Sequence, residues 1–218
     1  MTSLTSPSPG GRRYAGKEPG QRHAERYRRL VEAGLEVIGT HGYRAASVKS
    51  VCQEAGLTER YFYQCFRNRE DLLVAVYEDL NRLVRTRTMA AVAASAGDLD
   101  AMARAGAESY FSLLKADPRV ARVLLFEAVG VSPRMARVNR EAEARFVELI
   151  REGAQRRQRV TKMGATRETM VAAGLVGASV NIAMRWVLDD YRQPLEDVVA
   201  SMVLIHEAVS DRLYDAAD

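Results

Sequence analysis

Within Thr58-Glu59-Arg60-Tyr61-Phe62-Tyr63-Gln64-Cys65-Phe66, four aromatic rings fall in six residues, beside side chains that donate and accept hydrogen bonds. The polar members are of the kinds that read nucleic acid. Arginine pairs bidentately with guanine, glutamine with adenine, and glutamate accepts from the cytosine amino group. Tyrosine hydroxyls suit phosphate oxygens. The whole chain holds one Trp, nine Tyr and five Phe, so the clustering is a local feature. Helical spacing divides the labour. Phe62 and Phe66, four apart, share one face and pack inward. Glu59, Arg60, Tyr61, Tyr63 and Gln64 occupy the remaining faces, although Glu59 would also favour its own helix N-terminus through the helix dipole.

The elements that must position this set are short. Ser47 can cap a helix through Val48, Val51 and Cys52 that stops at Ala55-Gly56. Thr58 can cap the next, through Gln64. Two short helices joined by a tight turn at a glycine have the form of a helix-turn-helix, whose second helix enters the DNA major groove. A helix over Gln21–Thr40 precedes them, with Tyr27, Leu30, Val31, Leu35 and Ile38 on its apolar face. Asn68 begins a longer helix, with Glu70 and Asp71 well placed in its first turn.

Five further helices follow, so the fold class is all-α with about nine helices. One begins near Leu99 and ends at Asp117-Pro118. The next runs through Val129, and another starts at Ser132-Pro133. A fourth spans about Arg167–Leu188, and the last opens at Pro194. No strand-like alternation persists anywhere. The expected divisions are an N-terminal disordered arm over 1–20, a DNA-binding domain over 21–67 and a helical ligand-binding and dimerisation domain over 68–218.

Charge supports that division. The chain has 218 residues, a mass of 24.2 kDa and a formal net charge of +4. From Arg12 to Arg69 there are twelve Lys/Arg against six Asp/Glu; the remainder has twenty against twenty-two. The basic excess thus lies wholly in the first third, as a polyanion-binding unit would require. Arg12 and Arg13 could reach DNA or merely solubilise the arm. Cys52 and Cys65 form no disulfide framework and suggest a reducing, cytoplasmic setting. His23, His41 and His206 have no metal-ligand spacing. The longest uncharged run, Thr169–Met184, is short for a membrane span and suits a buried helix.

From about Arg22 to Val76 the chain closely resembles the DNA-binding domain of tetracycline-repressor (TetR) family regulators. The resemblance rests on His41-Gly42-Tyr43, Ser47-Val48, Glu54-Ala55-Gly56-Leu57-Thr58, Phe62-Tyr63, Phe66 and Asn68-Arg69-Glu70-Asp71-Leu72-Leu73. It implies an all-helical homodimer whose divergent C-terminal domain binds a ligand that, in many members, releases DNA. Ser47, Tyr63 and Arg69 match phosphate-contacting positions, with Arg69 standing where lysine is usual. Lys49, Thr58, Glu59, Arg60, Tyr61 and Gln64 complete the expected DNA-binding set. Cys65 replaces a common histidine, and Arg60-Tyr61 are bulkier than the usual pair, so no known operator preference carries over.

For the pocket, the family cavity implies Met102, Tyr110, Phe111, Phe126, Met135, Asn181 and Trp186, a mix suited to a largely apolar ligand. For the dimer seam, Gly174, Ala178, Ile182, Leu195, Val199, Met202, His206 and Val209 lie on the last two helices, where small residues permit close approach. The expectation is a repressor released from a palindromic operator by a small apolar ligand, acting as a homodimer without cofactor, metal or catalytic residues. The alternative is an architectural DNA binder without an effector. A helical enzyme is disfavoured, because the sequence has no phosphate-binding glycine loop and no nucleophile motif.

Overall fold

The computed structural model describes residues 19–95, 99–156 and 164–213. The arm with Arg12 and Arg13, the expected break at Gly97-Asp98 and Arg157 of the basic loop lie outside the described residues. Among those described there are nine α-helices and no strand: α1 (Pro19–His41), α2 (Val48–Ala55), α3 (Glu59–Cys65), α4 (Arg69–Ala94), α5 (Leu99–Ala116), α6 (Pro118–Arg122), α7 (Pro133–Arg156), α8 (Ala165–Leu188) and α9 (Leu195–Leu213).

Local chemistry sets the boundaries. The Ser47 hydroxyl accepts from the Ser50 N–H at 3.0 Å, and the Ser50 hydroxyl accepts from the Ser47 N–H at 2.9 Å, a reciprocal cap on α2. Asn68 caps α4 by accepting from the Asp71 N–H at 2.9 Å. Asp117 caps α6 through the Arg119 N–H at 3.1 Å, with Pro118 in the first turn. Thr58 precedes α3 in extended conformation, but its hydroxyl makes no capping bond, contrary to expectation. The segment after α6 also departs from a plain α-helix. Val123–Glu127 is a wider π-helical turn, a form that breaks regular packing and is frequent at functional sites.

One apolar core runs through the described residues. In the N-terminal unit, Leu30, Ile38, Val51, Phe62 and Leu73 are at most 2 % exposed. Cys52 is buried among them, as a small core residue. In the C-terminal unit, α9 packs on α5 and α8, and Phe111, Leu114, Met135, Ala183 and Trp186 fill the centre. The Trp186 indole N–H donates to the Gln193 carbonyl at 2.9 Å, which satisfies its one polar atom inside the core.

Candidate nucleic-acid interface

The turn between α2 and α3 is closed from both ends. Gly56 has φ +60°, in the left-handed region, and its N–H and that of Leu57 return to the Gln53 and Cys52 carbonyls. Arg29, one helix away on α1, donates to the Ala55 carbonyl and so holds the turn from outside. A Cβ on Gly56 would lie 3.0 Å from the Arg29 guanidinium. Conformation therefore requires glycine here, and a side chain would also push the guanidinium aside by a few tenths of an ångström.

Phe62 (0 % exposed) and Phe66 (5 %) anchor α3 inward, and Tyr27 of α1 stacks on Phe66 at 5.0 Å between centroids. With those rings fixed, Glu59, Arg60, Tyr63 and Gln64 all face solvent, Tyr63 at 58 % exposure. Thr58 at the head of α3 and Ser47 and Lys49 at the head of α2 are exposed as well. Eight of the nine expected DNA-facing side chains are thus solvent-exposed. Tyr61 is the exception. It is half-buried, with the Arg26 guanidinium 3.9 Å above its ring, so its face is already occupied. Arg69 is exposed, but its guanidinium donates to the Ala46 carbonyl and lies 5.3 Å over the Tyr43 ring. It braces the loop before α2 and keeps further N–H donors for a phosphate.

Arg26 and Arg29 were missed as site-building residues. Their signal was in the spacing, since Arg22, Arg26 and Arg29 recur at intervals of four and three along one side of α1.

Two sets of polar contacts fasten this unit to the body. In the first, Arg119 pairs with Asp117 at 2.7 Å and with Glu36 of α1, Arg122 donates to the Thr40 carbonyl at 2.7 Å, and the Glu127 carboxylate accepts from the Tyr43 N–H at 2.8 Å. Hydrogen bonds from Arg119 hold the Asp117 and Glu36 carboxyls below the usual carboxylate range. In the second, Ser132 donates to Glu70 at 2.6 Å, and Arg134 at the start of α7 pairs with Asp71. Burial pushes the Asp71 carboxyl up, but its bonds with Arg134 and Arg67 outweigh that and hold it low.

The body is less open than the expected pocket requires. Phe111, Met135 and Trp186 are core residues, Met102, Tyr110 and Phe126 are half-buried, and Asn181 is exposed on the outer side of α8. Burial pushes the Tyr110 phenol up. One cleft lies between α4 and α7 and another beside α3; none of the seven residues lines either. The expected seam is also redistributed. Val199 and Met202 are buried inside the chain, and the Ser179 hydroxyl lies 3.2 Å from the Met202 sulfur. Ala178, Ile182, Leu195, His206 and Val209 are half-buried, whereas Gly174 is open. On α8 and α9, the apolar side chains most open to solvent are Met170 (69 %), Leu188 (69 %) and Leu204 (66 %), with Gly174, Gly177 and Val180 also exposed on α8. Helix α8 is long and apolar enough to cross a membrane, yet only 22 % of its apolar window is buried within the chain, not the covered helix that was expected.

Residues 30–76 match the family model for bacterial regulatory proteins of the tetR family. Over these residues the chain carries a DNA-binding domain of the TetR type. Over most of its length, the chain is 26 % identical across 189 residues to the HTH-type transcriptional activator FasR of Mycolicibacterium smegmatis, covering 83 % of this chain and 80 % of that protein. Its fold is that of the fatty acid degradation regulator FadR from Bacillus halodurans, with TM-score 0.69, 22 % identity and coverage of 87 % and 95 % of the two chains. FadR from Bacillus subtilis, solved in complex with stearoyl-CoA, superimposes with TM-score 0.66 at 20 % identity, over 85 % of this chain and 98 % of that one. The chain is a DNA-binding transcriptional regulator, and its relatives are regulators rather than enzymes.

Proposed function

We propose that the protein is a cytoplasmic homodimeric repressor that binds a palindromic operator through α3 and is released by a long-chain acyl-CoA. The observation that carries the DNA reading is the outward row of Glu59, Arg60, Tyr63 and Gln64 on a helix fixed from behind by Phe62 and Phe66. Arg60 and Gln64 are the base-reading residues, with Lys49 and Glu59 beside them; Ser47, Tyr63 and Arg69 bind phosphate. Tyr61 supports the row by seating Arg26 rather than by touching a base.

The effector class follows the relatives, two of which are named for fatty acid regulation and one of which holds stearoyl-CoA. The exposed stripe from Met170 through Gly174 and Gly177 to Leu188, with Leu204 on α9, supports a seam between two copies across a two-fold axis. Release is then a population shift, in which DNA selects one spacing of the two α3 helices and ligand another. A hundredfold loss of operator affinity needs ~2.7 kcal/mol of coupling, within the ordinary range.

Fluorescence anisotropy of a labelled operator, titrated with acyl-CoAs of increasing chain length, tests this reading. The expected result is release by long chains at concentrations where free CoA has no effect. Equal indifference to every acyl-CoA would remove the effector class and leave the operator reading standing.

A further inference from the structure

The cleft between α4 and α7 has a volume of about 260 Å³ and is lined by Glu78, Asn81, Arg82, Arg85, Ala142, Arg145 and Phe146. Three of those seven residues are arginines and one, Glu78, is a carboxylate. Asn81, Arg82 and Arg85 follow one another at helical spacing on α4, and Arg145 faces them from α7. Their charges are weakly committed. Arg85 makes one long approach, from Nη1 to the Met89 sulfur at 3.9 Å, and Arg145 has no ion pair among the described residues. Arg82 pairs with Asp79, but both are exposed, and such pairs contribute little. Guanidinium groups in this condition match phosphate oxygens, which they bind bidentately.

A second observation points the same way. Helices α4 and α7 run side by side in the same direction, as the successive pairs Asp71–Arg134 and Tyr77–Asn139 show. Further along α4, past the cleft, the buried Thr88 hydroxyl lacks a hydrogen-bond partner, whereas Arg151 on α7 is already paired with Glu148 at 2.9 Å and Glu168 at 3.7 Å. A buried donor left unsatisfied costs ~1–3 kcal/mol, so the Thr88 hydroxyl calls for an acceptor. The volume falls below the ~300–1,000 Å³ of a site that encloses a whole drug-sized ligand, so it suits one end of a longer molecule.

We infer that the cleft between α4 and α7 binds the phosphate-bearing end of the acyl-CoA effector, with Arg85 and Arg145 as the phosphate contacts, Arg82 joining them, and Thr88 donating to a carbonyl group of the ligand's neck. The inference rests on the acyl-CoA reading above and adds the entrance to it. In this arrangement the arginines discriminate a CoA thioester from a free fatty acid, and the ligand draws α4, which begins at the recognition unit, toward α7.

The test compares palmitoyl-CoA with palmitoyl-pantetheine, which keeps the thioester and the amides but carries no phosphate. Binding of each is measured by calorimetry to the full chain and to an Arg85→Ala/Arg145→Ala variant, with circular dichroism confirming that the variant is folded. The native protein should bind palmitoyl-CoA roughly tenfold or more tightly than palmitoyl-pantetheine, and the variant should lose that preference by weakening for palmitoyl-CoA alone. A variant that keeps the full preference overturns the cleft assignment while leaving the acyl-CoA effector in place. Native protein that binds neither thioester overturns the effector reading and the cleft together. A variant weakened equally for both ligands also contradicts the inference, because it assigns the arginines to packing rather than to phosphate.

Discussion

Arg60 is exposed on the outward face of α3, while Arg69 is braced against Ala46 and Tyr43, and the two should fail differently. Replacing Arg60 with Ala should relax discrimination at one operator position at a cost of ~1–3 kcal/mol, read from binding to a set of singly substituted operators. Uniform weakening across that set would reassign Arg60 to phosphate. Replacing Arg69 with Ala should weaken binding to all sequences alike and lower the salt slope by about one. At this scale the sequence was legible where a side chain's type and face agree. The inward Phe62 and Phe66 and the outward Gln64 all follow from spacing four apart. Tyr61 was not legible, because the group that covers it, Arg26, comes from a helix more than thirty residues earlier in the chain, and nothing in the local pattern reports that contact.

Helix ends marked by a capping side chain or a proline were readable, as at Ser47, Asn68 and Asp117-Pro118, since each supplies a bond the helix terminus lacks. The π turn over Val123–Glu127 was not, because its register is set by Glu127 reaching Tyr43 and Arg122 reaching Thr40 across the junction. Two substitutions test these elements. Gly56→Val forces a β-branched residue into φ +60° against Arg29, and should lower stability by ~1–2 kcal/mol and abolish operator binding first, as seen by thermal melting beside anisotropy. Arg134→Ala frees Asp71 from α7. It should leave operator binding near the native value but shrink the ligand-induced loss several-fold. An undiminished ligand response would place the coupling at Arg119 and Arg122 instead.

Among the described residues, α8 and α9 leave Met170, Leu188 and Leu204 in solvent. Sequence periodicity assigned Val199 and Met202 to the expected seam, but both are buried within the chain, because periodicity cannot tell which of two apolar faces meets the chain's own α5. Leu204 is 66 % exposed, so Leu204→Glu should leave the folded protomer intact while sedimentation shows monomers and operator binding falls away. His206 is half-buried beside Ser210, and burial holds its imidazole below the ordinary value of 6.5, with Asp100 pulling it up by less. The unfolded chain therefore gains a proton that the folded chain resists, so stability is complete above pH 6.5 and declines as pH falls below it. The melting temperature should drop between pH 7 and pH 5.5, and His206→Gln should flatten that decline.

The central claim, a sequence-specific regulator, is tested most directly by selecting genomic fragments with the purified protein at physiological salt and sequencing those retained. A single enriched palindrome, lost when palmitoyl-CoA is added and lying beside genes of fatty acid metabolism, is the result expected. Broad retention of unrelated fragments that vanishes with a modest rise in salt would contradict it, and would make the protein an architectural DNA binder.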